Sequence, residues 1–459
     1  MAIKVLLINA INTQRRVETN YPPLNLAYLI SYVRSRIKNQ DIIFKIISND
    51  YKPEIESFAP DIVGISSVTQ NYPIAIDIAS FCRKKGMPVF IGGVHISTLP
   101  SSFDKCFDFG VIGEGEETFF EIVRLFLEKG IFSKAELFNI NGLVFLDNNS
   151  KLVFTNPRRL IEKIDSIPFP AREYLNLDKN DLFMLSSRGC PYNCYFCSSS
   201  SFWKQVRFNS ADYVIKEIKQ LIKAYNPAHI NFYDDLFIAD KKRLIEITKR
   251  IEKLGINKRV SFNITARANL INKETVTFLK RMNVHSVNMG LESGSEKILK
   301  YLKGSNISVK DNIRAISLLT KAGIRVSGSF VIGAPIDTVE TIMETYDFIK
   351  SQNMASFAVY TLTPYPKTMA WEYALKNNLV SEHMDFSRLC IDYPSNYSDK
   401  IIVTHNISNK ELYAFYKKFK KLYIRKQAIY AFKLLFRRPK SVFKNLYNRI
   451  KYKDITGYN

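Results

Sequence analysis

Cysteine and histidine are scarce in this chain, with six and five copies among 459 residues. Six cysteines are too few to staple a chain of that length, so a disulfide scaffold is excluded. The run Val5-Leu6-Leu7-Ile8 near the start is too short for a secretory segment or a membrane span and reads as a first β-strand. Nor does the composition favour disorder, since hydrophobic residues make up 46% and charged residues 24%, the ordinary globular range. Single cores stop growing at roughly 250–300 residues, so two or three domains are expected.

Acidic residues are nearly absent from the end of the chain. Between Asn409 and Lys453 fifteen Lys or Arg stand against Glu411 alone, which puts +14 of the formal net charge of +23 in this one segment. Whatever the tail meets is the reason for that excess. Ser408-Asn409-Lys410-Glu411 reads as a capping box that opens a helix. Leu412, Phe415, Tyr416, Phe419, Leu422 and Tyr423 then form a stripe beside Lys417, Lys418, Lys421 and Arg425. The pattern continues through Ile429, Phe432, Leu435 and Phe436, and resumes past Arg437-Arg438-Pro439. Two partners suit this pattern: the body of the protein, with the charges left in water, or an anionic lipid surface. Nucleic acid is disfavoured, because no recognised binding module accompanies the charge.

Residues 1–138 alternate short apolar strands with amphipathic helices: Val5–Ile8, a helix from Leu24, Ile42–Ile47, Ile62–Ser66, a helix from Pro73, and Val89–Ile91. That rhythm predicts an α/β domain with a doubly wound parallel sheet. Ligands of such sheets lie beyond the carboxyl ends of the strands, where Ser66-Ser67, Gly92-Gly93-Val94-His95 and Gly113-Glu114-Gly115-Glu116 fall. Residues 139–180 read as a β-hairpin around Asp147-Asn148-Asn149-Ser150 and a linker. Residues 181–380 resume the alternation, with strands at Phe183–Ser186, His229–Tyr233, Ser261–Thr265, Ser286–Met289, Val326–Ile332 and Phe357–Thr361. Six such strands predict a partial βα barrel with its chemistry at their C-terminal ends. Residues 381–459 are a helical, basic extension.

Three of the six cysteines crowd into Cys190-Pro191-Tyr192-Asn193-Cys194-Tyr195-Phe196-Cys197, just after the first barrel strand. Three thiolates in one loop hold three irons of a cubane and leave the fourth iron open to a substrate. Structural zinc is the rival, but it takes four ligands, and no His or fourth Cys stands at finger-like spacing nearby. Thiol chemistry of this kind points to a reducing, cytoplasmic compartment. Cys82, Cys106 and Cys390 stand alone in apolar surroundings and read as buried thiols.

The Cys-x3-Cys-x2-Cys loop, with Phe196 before its last cysteine, resembles the hallmark of the radical S-adenosylmethionine (SAM) superfamily. The resemblance implies a [4Fe–4S] cluster on Cys190, Cys194 and Cys197, whose unique iron chelates the amino and carboxylate groups of SAM. Reductive cleavage would then yield a 5′-deoxyadenosyl radical, with electrons from a reductant such as flavodoxin or ferredoxin. Tyr233-Asp234-Asp235-Leu236-Phe237 looks like the segment that receives the methionine amino group, although Asp234 and Asp235 also suit a helix N-terminus. Arg267 resembles the third-strand arginine that pairs with the SAM carboxylate, while Asn269 stands where an acidic residue is common. Gly290-Leu291-Glu292-Ser293-Gly294 resembles the fourth-strand motif, with Glu292 and Ser293 near the polar groups of SAM. Gly328 to Pro335 resembles the fifth-strand adenine contact, with Gly333 allowing close approach; Ile336 and Asp337 depart from the usual Gly and Glu.

The amino-terminal segment resembles the cobalamin-binding domain of many such enzymes. Pro22 to Ala27, Val63-Gly64-Ile65-Ser66-Ser67, Gly92-Gly93-Val94-His95 and Gly113-Glu114-Gly115-Glu116 carry the likeness. It implies that Ser66, Ser67, Gly92, Gly93, His95, Gly113 and Glu114 face the cofactor. The Asp-x-His-x-x-Gly loop that supplies a lower cobalt ligand elsewhere is missing, so base-off cobalamin without a histidine ligand is implied. Together these likenesses imply a cobalamin-dependent methyltransferase acting on an unactivated carbon of a small molecule or lipid. The alternatives are a radical SAM cyclase, oxidase or carbon–carbon bond former, and a non-catalytic cobalamin sensor or scaffold. The basic tail would place the protein at the inner face of a membrane.

Overall fold

The computed structural model describes residues 2–13, 21–38, 42–48, 50–391 and 399–437. They form two compact units: Met1–Pro191 with Cys197–Asp235 and Pro364–Leu389, and Tyr192–Phe196 with Leu236–Thr363 and Cys390–Asn459.

In the first unit β1 (Ile3–Ala10), β2 (Ile42–Ile47), β3 (Ile62–Ser67), β4 (Val89–Gly92), β5 (Phe109–Val111), β6 (Leu143–Leu146) and β7 (Leu152–Phe154) form one sheet in the order β2-β1-β3-β4-β5-β6-β7. Strands β1 to β5 run parallel. Val5, Leu6, Leu7 and Ile8 are all buried because β1 is covered on both faces, which is why it reads as an unbroken apolar run. The connecting helices include α1 (Leu24–Arg36), α2 (Tyr51–Phe58), α3 (Tyr72–Lys84), α4 (Val94–Thr98) and α5 (Glu116–Lys129). Leu26, Ile30 and Val33 of α1 and Phe119, Ile122, Val123 and Phe126 of α5, at helical spacing, share a core with Phe90, Phe109 and Val111 of the sheet.

The hairpin expected around Asp147–Ser150 is present, with Asp147 Oδ1 accepting the N–H groups of Asn149 and Lys151 at 2.8 Å. It is not a free-standing linker, however. Strand β6 pairs antiparallel with β5, so the hairpin completes the parallel sheet with an antiparallel edge. The same unit contains β8 (Asp181–Met184), β9 (Ser187–Arg188), β10 (Arg207–Phe208), α6 (Ala211–Tyr225) and β11 (His229–Phe232). Strands β8 and β11 pair parallel and open the barrel repeat.

In the second unit β12 (Ser261–Ala266), β13 (Val284–Glu292), β14 (Arg325–Ile332) and β15 (Ser356–Thr361) are parallel neighbours in that order. Between them run α7 (Lys273–Arg281), α8 (Glu296–Lys303), α9 (Val309–Lys321) and α10 (Val339–Ser351), and α11 (Asn409–Arg437) follows. Ser408 and Glu411 form the expected capping contacts, Ser408 Oγ donating to Glu411 Oε2 at 2.6 Å and Glu411 N–H donating to Ser408 Oγ at 3.3 Å. Of the two partners open to the tail, the body of the protein takes the first half of α11. Leu412, Phe419 and Leu422 are buried, Phe419 meets Tyr346 of α10, and Tyr423 stands edge-on to Phe357 of β15. Gln427 Nε2 donates to Ala355 O at 2.9 Å. The segment past Arg437 and the side chains of Leu435 and Phe436 lie outside the described residues.

Candidate cluster and cofactor site

Strand β8 ends at Met184, and the chain that leads to Cys190 is held by carboxylates. Asp234, just past β11 and buried, accepts the Ser186 N–H at 2.6 Å, the Ser186 hydroxyl at 2.5 Å and the Ser187 N–H at 3.2 Å. Asp235 accepts the Ser199 hydroxyl at 2.6 Å and the Gly189 N–H, and burial raises its pKa. The two aspartates thus fasten the cysteine loop just before Cys190 and just after Cys197. The structure puts Asp234 to work inside the protein, whereas the sequence placed it toward an ammonium ligand. Gly189, at φ +91°, is needed there: a Cβ would lie 2.9 Å from Gln205 O.

Cys190, Cys194 and Cys197 are half-buried and in no disulfide, and Phe196 is half-buried between the last two. Among the described residues no three His, Cys, Asp or Glu side chains converge on one metal ion. Thiolates that each take a different iron of a cubane need no such single point of convergence.

In the second unit Arg267, at the end of β12, lies buried over the Tyr192 ring at 3.9 Å. Its Nη1 donates to Cys194 Sγ at 3.4 Å and its Nη2 to Lys303 O at 2.9 Å, while Nε has no partner. The arginine expected at the SAM carboxylate therefore also supports the cysteine loop. Glu292, at the end of β13, adopts φ +58°, a left-handed conformation uncommon outside glycine and typical of sites where geometry is over-determined. Its Oε1 lies 3.3 Å from Lys303 Nζ, which also donates to Gly290 O. A Cβ on Gly290 would sit 2.2 Å from Glu292 Oε1, so any side chain there would displace this carboxylate. Asn269 donates to Asn306 O at 3.0 Å, a role that needs no acid.

Ser293 and Gly333 serve the fold. The Ser293 hydroxyl is 2.9 Å from Thr345 Oγ1 and accepts the Ser295 N–H at 3.0 Å. The place of a Gly333 Cβ is filled by Leu412 Cδ2 at 2.9 Å. Asp337, one of the departures from the family pattern, accepts the N–H groups of Gly333 and Ala334 at 2.8 and 3.0 Å and so shapes this turn.

Lys303 escaped the sequence reading. It is buried at the end of α8 beside Glu292, with side-chain exposures of 5% and 7%, too little water for either charge to stand alone. Lys303→Met is expected to lower stability by about 3 kcal/mol, because one member of a buried pair is left uncompensated. Urea unfolding of the two proteins measures this, and an equal midpoint would show the pair to be without weight.

The amino-terminal turns come together in part. Asn25 Nδ2 donates to Ser66 Oγ at 3.0 Å. Gly93, at φ +96°, lies so close to Ser66 and Ser67 that a Cβ would meet Ser67 O at 2.7 Å. Ser66, Ser67 and Gly93 are thus closely packed, next to Gly92, at the carboxyl ends of β3 and β4. The Gly113 N–H is tied to Ser97 Oγ of α4 at 2.9 Å.

His95 and Glu114 are placed differently from expectation. His95 is fully buried, its ring 4.0 Å from that of Tyr72 and 4.7 Å from that of Phe386. Burial pushes its pKa down to about 3, so the ring is neutral. The Ser102 hydroxyl donates to Leu99 O at 2.7 Å and therefore accepts from His95 Nε2 at 2.9 Å, which leaves Nδ1 as an unpartnered lone pair. Glu114 turns inward to Arg188 and Arg207. Cys82, Cys106 and Cys390 are buried as expected, and burial pushes the Cys82 thiol up to about 12.

A strand that leads into three cysteines in no disulfide, within a parallel βα repeat and joined in one chain to a doubly wound domain, defines a radical SAM enzyme with a cofactor-binding domain. The chain belongs to the radical SAM superfamily, matched over residues 184–349, and carries a B12 binding domain, matched over residues 14–123. A protein of Pyrococcus horikoshii named as an uncharacterized methyltransferase is 37% identical over 383 residues, covering 80% of this chain and 81% of its own. The anaerobic magnesium-protoporphyrin IX monomethyl ester cyclase of Rubrivivax gelatinosus is 26% identical over 75% of this chain and 65% of its own. The radical SAM methyltransferase TsrM from Kitasatospora setae, solved with cobalamin and a [4Fe–4S] cluster, superposes with a TM-score of 0.67 at 19% identity, covering 83% of this chain and 76% of that one. It shares the fold.

Proposed function

We propose that this protein is a cobalamin-dependent radical SAM methyltransferase that methylates an unactivated carbon of a small molecule. The observation that carries the reading is the 37% identity to a methyltransferase-named relative along four fifths of both chains. Cys190, Cys194 and Cys197 would hold the [4Fe–4S] cluster, and three half-buried cysteines in one loop, none in a disulfide, suit that group. Arg267 and Glu292 would receive the polar groups of SAM. Ser66, Ser67, Gly92 and Gly93, small residues at the carboxyl ends of β3 and β4, would take cobalamin. When bound, SAM on the cluster supplies a carbon-centred radical and cobalamin supplies the methyl group. This chain's own residues orient the cofactors and keep the loop rigid. No histidine other than buried His95 lies in these turns, in keeping with cobalamin that lacks a histidine ligand.

The cyclase relative supports a second reading, radical chemistry without methyl transfer. The two readings differ in how they use SAM. A methylase consumes one SAM for the radical and another for the methyl group, so 5′-deoxyadenosine and S-adenosylhomocysteine are expected in near-equal amounts and only with cobalamin bound. Chromatography of both products, with polar and lipid cell-extract fractions added in turn, measures the ratio. Turnover with cobalamin bound but without S-adenosylhomocysteine would overturn the methyltransferase reading.

Contact with an anionic membrane surface forms part of this proposal, as does electron supply by flavodoxin or ferredoxin. No helix among the described residues is long and apolar enough to cross a membrane. The later part of α11 leaves Ile424, Ile429 and Phe432 exposed beside Lys421 and Arg425, a mixture suited to a lipid surface.

A further inference from the structure

Like charges directly opposite each other on paired strands repel. Yet Arg188 of β9 and Arg207 of β10 are direct cross-strand partners, with side chains only 10% and 6% exposed. Cys190 follows Arg188 by two residues. Two carboxylates from one turn of the doubly wound domain cancel these charges. Glu114 Oε1 accepts from Arg188 Nη1 at 2.5 Å and from Arg207 Nη2 at 2.9 Å. Its Oε2 accepts from Arg207 Nη1 and from the Ile161 N–H, each at 2.8 Å. Glu116 takes the other end of Arg188. The Trp203 ring lies against both guanidiniums, 5.5 and 5.8 Å away. Four donors occupy the Glu114 carboxylate, so it has no further capacity for a cobalamin contact.

We propose that Glu114 and Glu116 are positioning residues for the iron–sulfur cluster: they fix Arg188, and with it the backbone that delivers Cys190, and they balance the charge beside the cluster. The inference rests on the reading that Cys190, Cys194 and Cys197 bind that cluster. Its physical basis is twofold. An uncompensated guanidinium with little access to water would pull the β9–β10 ribbon out of place. It would also favour the reduced, more negative cluster, because cluster potentials follow the net charge around them.

The test uses full-length protein reconstituted anaerobically with iron and sulfide. Glu114→Gln removes the charge and keeps the shape, and Glu114→Asp keeps the charge. Glu121→Gln breaks a different ion pair of the same unit, that with Arg158, in which neither Arg188 nor Arg207 takes part. Glu114→Gln is expected to release iron to a chelator about ten- to a hundredfold faster. It should also show a less negative cluster midpoint potential and altered electron paramagnetic resonance g-values. Glu114→Asp should return the potential toward that of the unsubstituted protein, and Glu121→Gln should change none of these readouts even if it lowers the melting temperature. Equal potentials, spectra and iron release in Glu114→Gln and Glu121→Gln would overturn the proposal. Should Glu114→Gln not fold, Glu116→Gln, which leaves Glu114 bound to both arginines, is read by the same measurements and the same criterion. If the unsubstituted protein takes up no cluster, the cysteine reading fails first and takes this proposal with it.

Discussion

Replacing Cys190, Cys194 and Cys197 together with alanine is expected to yield protein that takes up no cubane iron and produces no 5′-deoxyadenosine from SAM under reduction. The effect is the largest expected here, a fall from turnover to background. Each single replacement should come close to it, because two thiolates cannot retain a cubane whose fourth iron already lacks a protein ligand. The fold should survive. All three thiols are only half-buried, and the ends of the loop are held by Asp234 and Asp235 through bonds to Ser186, Ser187, Gly189 and Ser199. Circular dichroism and melting close to those of the unsubstituted protein are therefore expected, alongside absent visible absorbance and absent cleavage. Reductive SAM cleavage by the triple variant would remove the radical SAM reading of this site.

What could be read from the sequence was largely what local chemistry dictates. Strands β1, β3, β11 and β14 announce themselves as short β-branched or apolar runs between turn residues, and their observed ends lie within two residues of expectation. The role of the hairpin was hidden because its partner, β5, is three residues long and carries no periodic signal. Helix α2 escaped for a similar reason: its eight residues bury only Ile55. The cysteine loop was plain from spacing alone. Its supports were not, since the contacts of Asp234 to Ser186, Glu114 to Arg188 and Glu292 to Lys303 join residues distant in sequence and depend on how the strands are ordered. Lys303 shares α8 with Lys297 and Lys300, and nothing in the sequence marks it as the buried one. Glu114 carried a resemblance that pointed to cobalamin, whereas three of its four bonds go to Arg188 and Arg207 of the β9–β10 ribbon.

The tail has two halves with different duties, and two truncations separate them. Ending the chain after Ser408 removes Leu412, Phe419 and Leu422, all buried on the second unit, and uncovers Gly333 beneath Leu412. At roughly 1.5–3 kcal/mol per buried apolar side chain, the loss is about 5 kcal/mol or more. Total stabilities are typically about 5–15 kcal/mol. The expected result is an insoluble or unfolded product, read by expression, circular dichroism and size-exclusion chromatography; a folded, monodisperse product would show that the helix contributes little. Ending the chain after Gln427 instead keeps the Phe419, Tyr423 and Gln427 contacts and should leave a folded protein. That shorter cut removes Ile429 and Phe432 together with eight of the fifteen tail cations. Each Lys or Arg near an anionic bilayer contributes about 1 kcal/mol, and salt screens the attraction. Full-length protein is therefore expected to sediment with phosphatidylserine-containing vesicles at low salt and to be released at high salt, while the protein ending at Gln427 stays in the supernatant. Equal sedimentation of the two folded forms would discard the membrane contact and leave the packed half of α11 as the whole function of the extension.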